Sequence, residues 1–228
     1  MALDEHIPMN TEFNFEQQQV LQTWFSGQFP TGAFAFSHGL EALVASGQVN
    51  TGKNFQEWLG EVLYFGTGRN DAILFRLASA AYASELAILN DYALATCTNA
   101  TRLLETQAQA QAFTRLMLDV YGLDLPGEIE WAMPVVAAAA CRSQGLDLEA
   151  SLSAYLTAFA SNLVFAGVRL VPLGQSDGQR ILSYHFRTVR TVIDCTRDLS
   201  LDDVGSDLWA ADCGAMAQET MVTRMFRS

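Results

Sequence analysis

Between Trp24 and Glu41 the chain reads Trp-Phe-Ser-Gly-Gln-Phe-Pro-Thr-Gly-Ala-Phe-Ala-Phe-Ser-His-Gly-Leu-Glu. This stretch constrains the fold more than any other. Trp24, Phe25, Phe29, Phe34 and Phe36 crowd around Gly27, Pro30, Thr31 and Gly32. Proline has no N–H to donate and glycine tolerates positive φ, so the backbone has to turn here. A surface turn is ordinarily polar, and this one is aromatic. It therefore requires a cover, from its own domain or from a partner. Pro30–Gly32 reads as a hinge folding one helix onto the next, with Phe34, Phe36 and Leu40 fixing the corner in the core. Phe25 or Phe29 is left for a partner, and Phe36 and His38 read as core residues.

Helical periodicity accounts for the rest of the chain. Phe15–Gly27 carries Val20, Leu21, Trp24 and Phe25 on one stripe. Helices are expected over Phe34–Ser46, stopped by Gly47, and over Asn54–Phe65, with Asn54 and Glu57 as a capping box. Asp71 is expected to open a helix through Ala83, and Ser84 or Glu85 another to about Thr98. Asn99 should cap a long helix Ala100–Tyr121 ending at Gly122, with Leu103, Leu104, Ala108, Phe113, Leu116, Met117 and Val120 as its apolar face. After a loop, Pro134 marks a helix start. The small-residue run Ala137–Cys141 suits a central position. Asp147 opens a helix to about Val171, which Pro172 and Gly174 interrupt. Ser176 and Gln179 form a second capping box on a helix reaching about Arg197, and Asp202 or Asp203 starts a last one to about Met216. Strand alternation, hairpin turns and internal repeats are absent from the sequence. The expectation is an all-α, single-domain helical bundle of about nine or ten helices over residues 15–216. A flexible tail, 1–14, precedes it, and a C-terminal tail, 217–228, orders on partner binding.

Half of the residues are hydrophobic and 17% are charged. That is enough apolar material for a large core, with surplus for an interface. The net charge of −12 disfavours nucleic acid and anionic membranes as partners. The N-terminal residues are polar and no run of eighteen apolar residues occurs, so no membrane span is expected. Cys97, Cys141, Cys195 and Cys213 are scattered. A cytoplasmic protein with reduced thiols is the matching expectation.

The chemistry of the sequence is sparse. Gly47–Lys53 has the spacing of a phosphate-binding loop, but Asn54 stands where a Ser or Thr would hold Mg²⁺, and no strand precedes it. His6, His38 and His185 are far apart, without metal-site spacing. Ser26, Ser37 and Ser176 lack a nucleophile-elbow context. The acidic run Asp194, Asp198, Asp202, Asp203, Asp207 reads as a solvated face or as a docking patch for a basic partner. The chain is therefore expected not to be an enzyme and to need no cofactor. The alternative is a helical small-molecule-binding protein or enzyme using the aromatic turn as a pocket.

Three ordered motifs carry a family resemblance. They are Phe34-Ala35-Phe36-Ser37-His38-Gly39-Leu40-Glu41 after the Pro30-Thr31-Gly32 turn, Pro172-Leu173-Gly174-Gln175-Ser176-Asp177-Gly178-Gln179, and the ending Arg224-Met225-Phe226-Arg227-Ser228. Together they resemble the urease accessory protein UreF family. Thr31 and Met225 depart from its usual residues, and Met221-Val222-Thr223 lacks the Tyr-Ser often found there. The resemblance implies an all-α adaptor, typically a homodimer. Such an adaptor binds UreD (also called UreH), recruits the GTPase UreG, and supports GTP-dependent nickel insertion into apo-urease. Gln175, Gln179 and the tail Arg224–Ser228 are the candidate partner-binding residues. For the two glutamines the alternative is a structural role in opening the helix. For the tail it is packing on its own domain. Pro30, Gly32, Phe34, Phe36, His38, Gly39, Glu41, Pro172 and Gly174 are structural motif residues. Arg169 reads as a buried, paired arginine or, less readily, as a GTPase-activating finger.

Overall fold

Helix boundaries fall where the capping chemistry is strongest. The computed structural model describes residues 15–125, 130–205, 216 and 224–227. Among the described residues there are nine α-helices and no strand: α1 Phe15–Trp24, α2 Leu40–Ala45, α3 Gly52–Tyr64, α4 Thr67–Ala80, α5 Ala83–Ala95, α6 Ala100–Tyr121, α7 Met133–Ser143, α8 Leu148–Leu170 and α9 Gln175–Cys195. Two 3-10 turns, Ala33–Ala35 and Leu201–Asp203, complete the set. The side chains of Asn99 and Asp147 accept the backbone N–H groups of Arg102 and Ala150, starting α6 and α8 where the sequence places them.

Some elements differ from expectation. The helix expected over Phe34–Ser46 is a 3-10 turn followed by the short α2. Between them His38 has φ 57° and Gly39 φ 80°, left-handed values that no helix continues through. The cap of α3 is Thr51, paired with Asn54, so the Asn54–Glu57 box is corrected by three residues. α4 begins at Thr67, ahead of Asp71, which is buried inside it. At α9 the side chain reaching back is that of Asp177, which accepts from the Gly174 N–H at 3.4 Å; Ser176 and Gln179 are not the pair. The last helix, expected from Asp202 or Asp203 to about Met216, does not start there: Leu201–Asp203 is a 3-10 turn that ends in extended backbone at Val204. Its remaining residues, apart from Gly205 and Met216, and the tail 1–14 lie outside the described residues.

The core is built around α7. Val135, Val136, Ala137, Ala138 and Ala140 have no exposed surface. Their short side chains let α4, α5, α6 and α8 pack on this one helix. α8 is long and apolar enough to cross a membrane, but it is a core helix. Half of its most apolar window is buried, and it packs against α9, α4 and α3. α9 lays Ile181, Leu182, Val189, Val192 and Ile193 onto α8 and α3. At Gly167 a Cβ would run into the ring of Phe55, so the absence of a side chain there allows α3 and α8 to approach.

Candidate functional site

Residues 224–227 meet the aromatic turn and the short helix that follows it. Thr31 N–H donates to the Phe29 carbonyl at 2.8 Å, and the Ala33–Ala35 turn follows. Phe36 and Leu40 then enter the core, at 3% and 0% exposure. Phe34, expected beside them, points outward at 59% exposure. Phe25 and Phe29 are half-buried, Phe25 edge-on to Tyr155 and Phe29 against Phe113. The hinge thus buries one phenylalanine of the Phe34–Phe36 pair and presents the other, because the 3-10 turn places them on different sides.

Against this corner sit Arg224–Arg227. Glu41, buried at the start of α2, accepts two backbone N–H groups, from Met225 at 2.6 Å and Phe226 at 3.0 Å. Arg227 N–H donates to the Ala35 carbonyl at 2.7 Å. The Phe226 side chain is 3% exposed, and the Arg169 guanidinium lies 4.9 Å from its ring centre. Phe226 packs on its own domain. Arg169 is exposed and stacked on Phe226 and Phe165, which corrects the expectation of a buried, paired arginine. Arg224, Met225 and Arg227 face outward. Ser228 lies outside the described residues.

The second motif forms the bend between α8 and α9. Pro172, Gly174, Gln175 and Gln179 are all exposed, Gln175 being the first residue of α9. The structure does not bring these glutamines into the contacts that hold the tail.

Behind the turn lies a buried polar chain that reading the sequence missed. His38 Nδ1 lies 3.1 Å from Glu105 and its Nε2 lies 2.9 Å from the Thr67 hydroxyl. Arg102 bridges Glu105 at 3.8 Å and Asp71 at 3.3 Å. Tyr155 donates to Asp71 at 2.6 Å. The chain ties the turn to α4, α6 and α8. It also explains why the buried face of α6 is Thr101, Glu105, Thr106, Ala110, Phe113 and Met117, with Leu104 and Val120 turned to solvent, contrary to the expected stripe. Burial pushes the Glu105 carboxyl up, but His38 and Arg102 outweigh it and hold the group below its ordinary range. Asp71 is raised by burial, which Arg102 and Tyr155 only partly offset. Arg102 and Glu105, three residues apart on one helix, were the available signal; their partners are too distant in sequence to be inferred.

Among the described residues no three His, Cys, Asp or Glu side chains gather as metal ligands. Under the aromatic turn, between Trp24, Phe36, Glu105 and Tyr155, the cavity is about 50 Å³. That is room for a few waters, far below the roughly 300 Å³ at which small-molecule pockets begin. The acidic run is partly used internally. Asp194 pairs with Arg190 and Arg197, and Asp203 accepts from Ser200.

Comparison with known proteins adds to this geometry. A family model described as UreF matches residues 49–184. The urease accessory protein UreF of Ruegeria pomeroyi is 39% identical over 214 residues, covering 93% of this chain and 97% of the relative. That of Roseobacter denitrificans is 36% identical over 208 residues, covering 91% and 92%. That of Methylorubrum populi is 35% identical over 218 residues, covering 91% and 97%.

Proposed function

The chain belongs to the urease accessory protein UreF family, and on that premise we propose that it is a cytoplasmic adaptor of urease maturation that binds UreD/UreH, recruits the GTPase UreG and supports GTP-dependent nickel insertion into apo-urease. It is an accessory protein and not a catalyst. Nickel is cargo of the assembly in this reading, and the chain works as a homodimer.

One observation carries the reading. The Glu41 clamp on the Met225 and Phe226 backbone joins the C-terminus to the aromatic turn. It leaves Phe34, Arg224, Met225 and Arg227 facing outward. Aromatic, methionine and arginine side chains are the types enriched where protein partners meet. A buried anchor, Phe226, holds them in place before any partner arrives, which lowers the ordering entropy of binding. Gln175 and Gln179 are candidates for the same assembly on a separate edge of the chain.

The test is co-purification of UreD/UreH with the full chain, with Glu41→Gln, and with a chain lacking Arg224–Ser228. The reading expects capture by the full chain and loss with the truncation while far-UV circular dichroism stays helical. Equal capture by the truncated chain would remove the tail from the interface.

A further inference from the structure

A second surface lies on α9, a helix that takes no part in holding the tail. Its outward stripe is Arg180, Tyr184, Arg187 and Thr191, spaced by four, three and four residues, and all four are exposed. α9 carries three arginines and two aspartates on a chain whose net charge is −12. The aspartates are already committed: Asp177 to Arg180 at 2.5 Å and Asp194 to Arg190 at 2.9 Å. Among the described residues Arg187 is the arginine of α9 without an acidic partner. Its guanidinium instead lies 5.5 Å from the Tyr184 ring centre. Tyr184 is 48% exposed and packs edge-on to His185 at 5.2 Å. His185 is itself buried and hydrogen-bonded to the Gln56 carbonyl at 2.9 Å. The aromatic platform is therefore fixed from below, and the cation on it is held ready with no counter-charge.

We propose that the Arg180–Tyr184–Arg187–Thr191 stripe of α9 is a docking site for a carboxylate-rich segment of a partner protein. Charge complementarity selects the occupant. A guanidinium presents a planar fork to a carboxylate, and a stacked ring restricts its motion. Thr191 adds a hydroxyl beside it. A second copy of this chain fits poorly, because Asp177 and Asp194, the aspartates of α9 that a two-fold contact could offer to Arg187, are already paired with Arg180 and Arg190.

The probe is a fluorescein-labelled oligoglutamate peptide, followed by fluorescence anisotropy at low and at physiological salt. The wild-type chain binds it, more weakly as salt rises. Arg187→Glu weakens binding by roughly tenfold or more, the scale expected for reversing a central charge. Tyr184→Ala also weakens it, and Tyr184→Phe, which keeps the ring, does not. Lys53→Glu, an equal charge change on exposed α3, leaves it unchanged, and all variants keep the wild-type melting temperature. Three outcomes overturn the proposal. One is absence of binding by the wild type. Another is an equal loss with Lys53→Glu, which would mean a diffuse field effect. The third is wild-type self-association in sedimentation velocity that Arg187→Glu abolishes, which would make the stripe a contact between copies.

Discussion

Glu41 and Phe226, 185 residues apart in sequence, are joined by a 3.0 Å hydrogen bond from the Phe226 N–H to the Glu41 carboxylate. The other carboxylate oxygen takes the Met225 N–H at 2.6 Å. Hydrogen bonds to a charged group contribute about 1.5–3 kcal/mol each. Glu41→Gln keeps one acceptor and turns an amide donor toward a backbone donor. It should detach Arg224–Arg227 while leaving the helices intact, read as faster carboxypeptidase trimming with unchanged far-UV circular dichroism. Phe226→Ala should give the same trimming and lower stability by about 3 kcal/mol in urea unfolding.

Removing the cation from the buried polar chain should be more damaging than removing the tail anchor. Arg102 faces both Asp71 and Glu105 in the interior. Arg102→Met leaves two carboxyl groups without it. Breaking a buried ion pair in this way costs about 3–5 kcal/mol. Urea titration should find that loss at neutral pH, with partial recovery in the Arg102→Met, Asp71→Asn double variant.

Acid should weaken the fold partly through His185. Burial lowers its pKa from 6.5, against the smaller opposing effect of the Gln56 carbonyl. The unfolded chain therefore takes up the proton first as pH falls. This contribution to stability is complete above about pH 6.5 and declines as pH drops toward the folded-state value. Glu105, also lowered, adds a second loss that starts below its ordinary value of 4.5. Melting temperatures followed downward from pH 7.5 should fall through the first window, and His185→Gln should flatten that part of the curve.

Two glycines separate backbone strain from packing. Gly32 has φ +75° and open space where a Cβ would stand. Gly32→Val should cost about 1–2 kcal/mol through conformation alone, and should misplace the corner that receives the tail. At Gly167 a Cβ meets the Phe55 ring instead. Gly167→Ala should be compensated by Phe55→Leu in a double-mutant cycle, whereas no such partner exists for Gly32→Val.

These positions also mark how far the sequence could be read. α6 and α8 are legible end to end because Asn99 and Asp147 are strong caps and Gly122 and Pro172 are strong stops. The corner at His38 was not, because histidine carries no signal for the left-handed φ it adopts. Its conformation is held by Glu105 and Thr67, partners 67 and 29 residues away. The same distance effect concealed the buried face of α6. Polar Thr101, Glu105 and Thr106 read as solvent-facing, and only the folded chain supplies the partners that permit their burial. The tail motif could be named from its residues, but its clamp depends on Glu41, 184 residues before Met225.

The most direct test of the accessory role is urease activation in cells lacking this gene and complemented in trans, scored as urease activity and nickel content per urease. The full chain should restore both, and a chain lacking Arg224–Ser228, expressed at the same level and folded, should not. Full activation by the truncated chain, or in cells without any copy, would contradict the account.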